Sequence, residues 1–243
     1  EKADSIEACV LESDLVVPAV PVLSIRETLV SLKAVFEDGS SIVTDVGSVK
    51  SPIIETAEDL FGELPKNLVP GHPIAGSEKH GVNAANPDLF EGHKVILTPT
   101  NSVSEQAINT ITALWQDLGA NVIQMTAGHH DGIFAQTSHL PHLLAYALVD
   151  MLSAQGDSLE IFQYAAGGFR DFSRIAASDP VMWRDIFRAN QDEVLDSLDK
   201  YLSELGNIRK MIAEGNMQEL EELFKRAKVA RDHFSGLSSG LKE

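Results

Sequence analysis

The chain has 243 residues, 44% of them hydrophobic and 23% charged, and a formal net charge of −17, which predicts a soluble globular protein of one large domain or two ordinary ones. So acidic a chain offers little material for the basic face that nucleic-acid binding needs, and its apolar runs fall short of the ~18 residues that suggest a membrane span. The single cysteine, Cys9, excludes an internal disulfide framework and, with no signal-peptide pattern at the start, predicts a cytoplasmic location.

In chain order, the first half alternates as an α/β domain does. Asp14–Val20 reads as a buried strand, although Pro18 inside it removes a ladder donor. Val22, Leu23, Ile25, Leu29, Leu32, Val35 and Phe36 form a helical stripe closed by Gly39. Ser41–Val46 is the next strand, a helix follows from about Pro52 to Phe61, and Asn67–Pro70 is a short strand. His93–Thr98, a helix over Ser104–Leu118 stopped by Gly119, and the strand Asn121–Met125 complete this half. After Ala127 the strand signal disappears. His129–Leu152 is one helical pattern interrupted by Pro141, which frees the carbonyl four residues back. Gly167 and Gly168 break the helical pattern. Asp179 and Pro180 start a helix as N-cap and first residue. Two long amphipathic helices then run from about Pro180 to Ile212 and from Asn216 to Phe234, and the last six residues are expected to fray. The expected organisation is an α/β, partial Rossmann-type domain over residues 1–126, followed by an all-helical domain over 127–243. No G-x-G-x-x-G occurs and the chain opens just ahead of a strand, so the front of a dinucleotide fold is expected to be missing.

The most informative stretch is G-H-P-I-A-G-S-E-K-H-G, residues 71–81. It is expected to place His72 on a loop directly after a strand, where open α/β sheets bind ligands. Gly71, Gly76 and Gly81 would let the backbone approach a small ligand. A histidine with an ordinary pKa of about 6.5 can accept a proton at neutral pH, which makes His72 the first candidate for a general base. No Lys or Arg occurs between Lys94 and Arg170, and then Arg170, Arg174, Arg184 and Arg188 arrive within 19 residues. They are the cations to meet an anionic ligand, or else surface partners of Asp171, Asp179, Asp185 and Asp192.

Four clusters, T-D-V-G-S-V-K (44–50), residues 71–81, S-H-L-P-H (138–142) and G-G-F-R-D-F-S-R-I-A-x-S-D-P-x-M-W-R-D (167–185), lie in one order and spacing. In this the chain resembles the prephenate dehydrogenases, the TyrA family, over essentially its whole length from about Asp14. The resemblance implies a Rossmann domain followed by a helical dimerisation domain. It also implies oxidative decarboxylation of prephenate to 4-hydroxyphenylpyruvate with hydride transfer to NAD or NADP, in tyrosine biosynthesis. NAD is the expected cofactor and a homodimer the expected assembly, with L-tyrosine as an inhibitor and no metal.

The resemblance carries roles onto matching residues. His72 matches the catalytic base and Ser48 a serine that orients the substrate hydroxyl and the histidine near the nicotinamide; capping of the following helix is an equally open reading of Ser48. Val20 and Pro21 join Ser48 as cofactor-binding residues. Ser77 matches a small hydroxyl residue of the substrate pocket, and Glu78 beside it either gates the site or is solvated. Ser138 and His142, four apart, share a helix face that in the family reaches the pyruvyl side chain, and His142 favours prephenate over arogenate. Arg174 matches the clamp on the ring carboxylate, since a guanidinium holds a carboxylate through two parallel hydrogen bonds. Asp171 and Trp183 match nearby pocket residues, Asp171 reaching toward a neighbouring subunit's site. His139 reads as a core group.

Three other readings are open. The substrate is arogenate, or both compounds, as in cyclohexadienyl dehydrogenases. Without the dinucleotide front, the 243 residues are a catalytically incomplete, ligand-binding dimer expected to turn over little prephenate. His129-His130-Asp131 belongs to a metal-dependent phosphohydrolase, which would need further ligands in matching helical context.

Overall fold

A computed structural model of the protein describes residues 3–10, 13–39, 41–76, 83, 85–155 and 158–239. It separates into two compact units, residues 1–194 and 195–243.

The first unit opens with α1 (Ile6–Val10) and β1 (Leu15–Val16). The expected strand Asp14–Val20 is therefore cut to two residues. Hydrogen bonds from Ile42 N to Asp14 O and from Thr44 N to Val16 O pin this short segment, and the ladder ends before Pro18, which has no N–H to offer it. A 3₁₀ turn at Val22–Ser24 leads into α2 (Ile25–Ser31) and α3 (Lys33–Asp38), a single expected helix broken at Leu32. Gly39 ends α3 at a φ of 69°, a left-handed conformation natural to glycine. After β2 (Ile42–Val43) and α4 (Ser51–Phe61) come β3 (Gly71–Pro73), β4 (Lys94–Leu97), α5 (Glu105–Asp117) and β5 (Asn121–Gln124).

The pairs β1–β2 and β4–β5 are parallel and β3–β4 is antiparallel, and a parallel bridge between Val43 and Leu68 connects β2 to the segment entering β3. Leu29, Leu32, Ile53, Leu68, Val69, Leu97 and Ile111 are buried in one core cluster, which holds α2, α4 and α5 on these strands. Ser104 caps α5 by accepting a hydrogen bond from Ala107 N.

From residue 127 onward the described structure is helical. The helix expected over His129–Leu152 is three segments: α6 (Ala127–Phe134), a π-helical turn at Ala135–His139, and α7 (Leu140–Ser153). Pro141 near the start of α7 cannot donate to the carbonyl four residues back, and the π turn just before it takes up the mismatch. Gly167 and Gly168 do not break a helix but begin α9 (Gly167–Ser173), which follows α8 (Ser158–Gln163). A 3₁₀ turn at Arg174–Ala177 leads to α10 (Pro180–Ala189), whose N-cap Asp179 accepts from Met182 N with Pro180 in the first turn, as expected. The long helix expected to Ile212 is interrupted at Asn190, where α11 (Gln191–Ala213) starts, and α12 (Met217–Ser239) follows. Asn190 is buried and its side-chain amide is turned inward, which accounts for the break. No helix among the described residues is long and apolar enough to cross a membrane.

Candidate active site

His72 is not on a loop after a strand. It is the central residue of β3, opposite Ile96 of β4, while Asn67–Pro70 contributes only the bridge at Leu68. The strand begins later than expected because Val69 N is taken by Val43 O, whereas Gly71–Pro73 pairs with β4. Gly71 is required by its own packing, not by a ligand: a Cβ there would meet Asp45 O and Thr44 Oγ1, both at 3.1 Å.

A buried network holds this strand. Lys50, fully buried, donates from Nζ to Asp45 Oδ2 and, over 2.6 Å, to Gly71 O. Asp45 Oδ1 accepts from Gly71 N at 3.1 Å and Oδ2 from Gly47 N at 2.7 Å. The peptide groups on both sides of Gly71 are thereby tied to one ion pair, immediately before His72. Burial pushes the Lys50 ammonium down, against the charges of Asp45 and Asp131, which favour it.

Behind His72, its Nδ1 lies 2.8 Å from His130 Nε2, and His130 Nδ1 lies 2.7 Å from Asp131 Oδ1. Phe134, one turn along α6, packs against both imidazoles with ring centroids 4.9 and 4.5 Å away. Asp131 also caps α4, accepting from Lys50 N at 2.8 Å and Ser51 N at 2.7 Å, so the helix start is satisfied by a carboxylate on α6. Ser48 is not that cap; the N-cap position is Lys50. Burial pushes Asp131 up, but hydrogen bonds from His130, Ser51 and Lys50 outweigh it and hold the carboxyl below its ordinary range. The His72 imidazole is held well below its ordinary value, by burial first and then by Lys50, His130 and His139.

His72 opens onto a cavity of about 470 Å³ lined also by Ser48, Phe134, Ser138, His139, His142, Arg174 and Trp183. His142 Nδ1–H donates to Ser138 O over 2.8 Å, and its ring stacks on Trp183 with centroids 3.6 Å apart. Burial lowers the His142 pKa, opposed by the Ser138 hydrogen bond and reinforced by Arg174. A second cavity, about 530 Å³, is lined by Ala19, Val20, Pro21, Val22, Val46, Gly47, Ser48, Asp179, Val181, Met182, Asp185 and Ile186. Ser48, Met182 and Ile186 border both cavities.

The structure thus gathers His72, Ser48, Ser138, His142, Arg174 and Trp183 at one cavity and Val20, Pro21 and Ser48 at its neighbour. Asp171 is exposed on α9 and lines neither. Ser77, Glu78 and Gly81 lie outside the described residues. Arg184 pairs with Asp185 over 2.6 Å, the surface-partner reading of the arginine cluster, whereas Arg174 faces the cavity. Sequence reasoning missed Lys50, Asn190 and the pairing of His130 and Asp131 with His72. The adjacent His130-Asp131 pair was a signal in the sequence, whereas Lys50 and Asn190 offered none. His130 and Asp131 are engaged with His72 and with α4, and no group of three or more His, Cys, Asp or Glu residues among those described could hold a metal.

His139, buried in the π turn, accepts at Nδ1 from Asn190 Nδ2 at 3.1 Å, and the same amide donates to Asp131 O at 3.0 Å. Its pKa is lowered to about 4, by burial first, with Asp131 opposing and His130 and His142 adding to the shift. Unfolding frees an imidazole of ordinary pKa ~6.5, so below that pH the unfolded chain binds a proton the folded one refuses. Stability is expected to be full above pH 7 and to fall as pH drops toward 4, by up to about 3 kcal/mol from this group. Urea unfolding at pH 7 and 4.5 checks it: His139→Gln should flatten the decline, and an unchanged decline would overturn the assignment.

Comparison with known proteins agrees with this geometry. The family model for the nucleotide-binding domain of prephenate dehydrogenase matches residues 1–124, and that for the prephenate dehydrogenase dimerisation domain matches residues 126–226. A cyclohexadienyl dehydrogenase of Zymomonas mobilis is 39% identical over 94% of this chain and 78% of its own length. The prephenate dehydrogenase of Bacillus subtilis is 37% identical over 98% of this chain, which spans 63% of that protein. A crystal structure of prephenate dehydrogenase from Aquifex aeolicus in complex with hydroxyphenyl propionate and NAD+ superposes with a TM-score of 0.86 at 38% identity, over 96% of this chain and 80% of that one. Fold and site define the class, an oxidoreductase in which a nucleotide-binding domain precedes a helical dimerisation domain. Within that class the chain belongs to the prephenate dehydrogenase family.

Proposed function

We propose that the protein catalyses the NAD-dependent oxidative decarboxylation of prephenate to 4-hydroxyphenylpyruvate. The observation that carries this reading is the junction of two cavities at Ser48, one holding a neutral imidazole and a guanidinium, the other walled by Ala19, Val20, Pro21, Val46 and Ile186. The second suits a flat nicotinamide ring, with Val20, Pro21 and Ser48 as its contacts. The chemistry that bound NAD supplies is acceptance of the hydride leaving C4 of the substrate.

The chain's own residues do the rest. His72 takes the proton of the 4-hydroxyl as the C4–H bond breaks. The C1–carboxylate bond then breaks, its electrons aromatise the ring as carbon dioxide leaves, and the proton on His72 returns to the phenolic oxygen. Ser48, between the cavities, orients the hydroxyl. Arg174 holds the ring carboxylate, and Ser138 and His142 face the pyruvyl side chain, with Trp183 fixing the His142 ring by stacking. Ser77 and Asp171 are proposed as further substrate contacts, Asp171 from a partner subunit.

Exposed Leu195, Leu202, Ile212, Phe224 and Val229 on α11 and α12 support a homodimer, because such apolar surface is otherwise left in water. The functional division is placed near residue 127, supported by the meeting point of the two family matches. The single cysteine supports a reducing, cytoplasmic setting. L-Tyrosine, which shares the product's ring and carboxylate, is the proposed inhibitor.

The test is NADH or NADPH absorbance on the full-length protein with prephenate and with arogenate. Faster reduction of NAD with prephenate supports the reading; arogenate alone as substrate, or neither, overturns it. Equal use of both is the second reading, a cyclohexadienyl dehydrogenase, which the name of the Z. mobilis relative favours. Arg174→Gln is expected to raise KM for prephenate about 10- to 100-fold, the worth of a charge-assisted hydrogen bond of ~1.5–3 kcal/mol, with kcat little changed. Loss of kcat at saturating substrate would contradict the clamp.

A further inference from the structure

We propose that Asp131 and His130 are positioning residues that set the tautomer of His72, so that its Nε2 is the nitrogen that accepts the substrate proton; the proposal rests on the reading of His72 as the base. The chain of contacts leaves little choice. A carboxylate only accepts, so the 2.7 Å contact at Asp131 Oδ1 requires a proton on His130 Nδ1. With one proton on that ring, His130 Nε2 is an acceptor, and the 2.8 Å contact requires a proton on His72 Nδ1. Nε2 of His72 is then the unprotonated nitrogen, on the ring that borders the cavity.

Other features hold the arrangement in place. Asp131 cannot turn away without abandoning Lys50 N and Ser51 N at the start of α4. Both His130 and Asp131 are buried, and Phe134 packs on the two imidazoles, so water does not compete for the nitrogens. The main-chain ties at Gly71 fix the strand that carries His72.

When the 4-hydroxyl gives its proton to His72 Nε2, the Nδ1 proton stays where it is, donated to His130. No proton need travel down the chain, and Asp131 remains ionised. Its negative charge, conveyed through the polarised His130 ring, stabilises the imidazolium that forms in a water-poor site. The charge returns to zero when the proton goes back to the phenolic oxygen. Among the described residues, the titratable and charged groups around His72 are Lys50 with Asp45 from the β2–α4 segment, His130 and Asp131 from α6, His139 from the π turn, and His93, His142 and Arg174 lining the cavity.

The direct test is nitrogen-15 NMR of the histidine side chains in the full-length, ligand-free protein at pH 7.5. His72 is expected to carry its proton on Nδ1, with Nε2 bare, and His130 to do the same. A proton on His72 Nε2, or two protons on His130, overturns the proposal. Because this is read without substrate, its outcome is separate from the turnover assay that tests the function itself.

Two variants supply the kinetic arm. Asp131→Asn removes the charge, and His130→Gln cuts the chain while leaving the cap on α4 intact, so it serves if the first variant does not fold. Each is expected to lower the plateau of kcat/KM by up to about 10²–10⁴-fold, the range of general-base assistance. Asp131→Asn should also move the acidic limb of the pH profile to lower pH, because an imidazolium without its distant carboxylate is a stronger acid. His130→Gln keeps that carboxylate and removes a ring that itself lowers the His72 pKa, so its limb should not follow. A lowered plateau with an unmoved limb in Asp131→Asn would mean that the pair only supports the fold, and either that or an unchanged plateau in His130→Gln would overturn the proposal.

Discussion

Replacing His72 by asparagine is expected to lower kcat for prephenate by about 10²–10⁴-fold while leaving KM within a few-fold of its starting value. Asparagine is close in size and keeps a polar group facing His130, but it cannot accept a proton at any pH in the working range. What is lost is assistance that exists only as the hydroxyl proton departs, so the transition state suffers and the ground-state complex does not. On the proposed reading the ligand's carboxylate and side chain are held elsewhere, by Arg174 and by the Ser138–His142 face, so KM should stay put. The pH profile supplies a second signature. His72 is held well below its ordinary pKa by burial and by Lys50, so its neutral form is favoured at pH 7 and, with His72 as the proposed base, the acidic limb is expected below the usual histidine range. In His72→Asn that limb should vanish along with the rate. Steady-state kinetics from pH 5 to 9 would show both effects, and a variant retaining native kcat would remove His72 from the chemistry.

Much of this site was legible in the sequence because its residues sit in compact motifs. Ser48, His72, Ser138, His142, Arg174 and Trp183 come from four short stretches, and the structure brings all six to one cavity. Helices were legible where local chemistry ends them: Asp179 with Pro180 at the start of α10, Ser104 at α5, and Gly39 and Gly119 at φ values of 69° and 80°. What escaped was non-local. The start of β3 is decided by the bond that Val69 N donates to Val43 O, and nothing in Asn67–Pro73 alone reports that pairing. The break at Asn190 is paid for by an amide that reaches Asp131 and His139, more than 50 residues earlier in the chain. Lys50 receives no role of its own from the sequence, and Asp131 reads there only as part of a metal motif, because a sequence window shows neither burial nor a partner dozens of residues away.

Lys50→Met is expected to cost about 3–5 kcal/mol of folding stability, the usual penalty for removing one member of a buried ion pair. Lys50 and Asp45 are both buried, with side chains 0% and 3% exposed. Methionine fills most of the lysine volume, so the loss is not a cavity. It comes from Asp45, left as an uncompensated carboxylate, and from Gly71 O, left without its donor. Urea unfolding should show a lower midpoint with an unchanged slope. The double variant Lys50→Met with Asp45→Asn should recover part of the loss, since an amide still accepts from Gly71 N or Gly47 N without carrying charge. The same substitution acts on His72. Removing a neighbouring positive charge makes protonation of the imidazole easier, so the acidic limb of the rate profile should move to higher pH in Lys50→Met, opposite in sign to the shift expected for Asp131→Asn. Opposed shifts from two residues that both hold the His72 strand or ring in place would separate their charges from their structural roles. An unfolding free energy within about 1 kcal/mol of native (roughly one pKa unit of interaction) would show that the pair is not the anchor of β3.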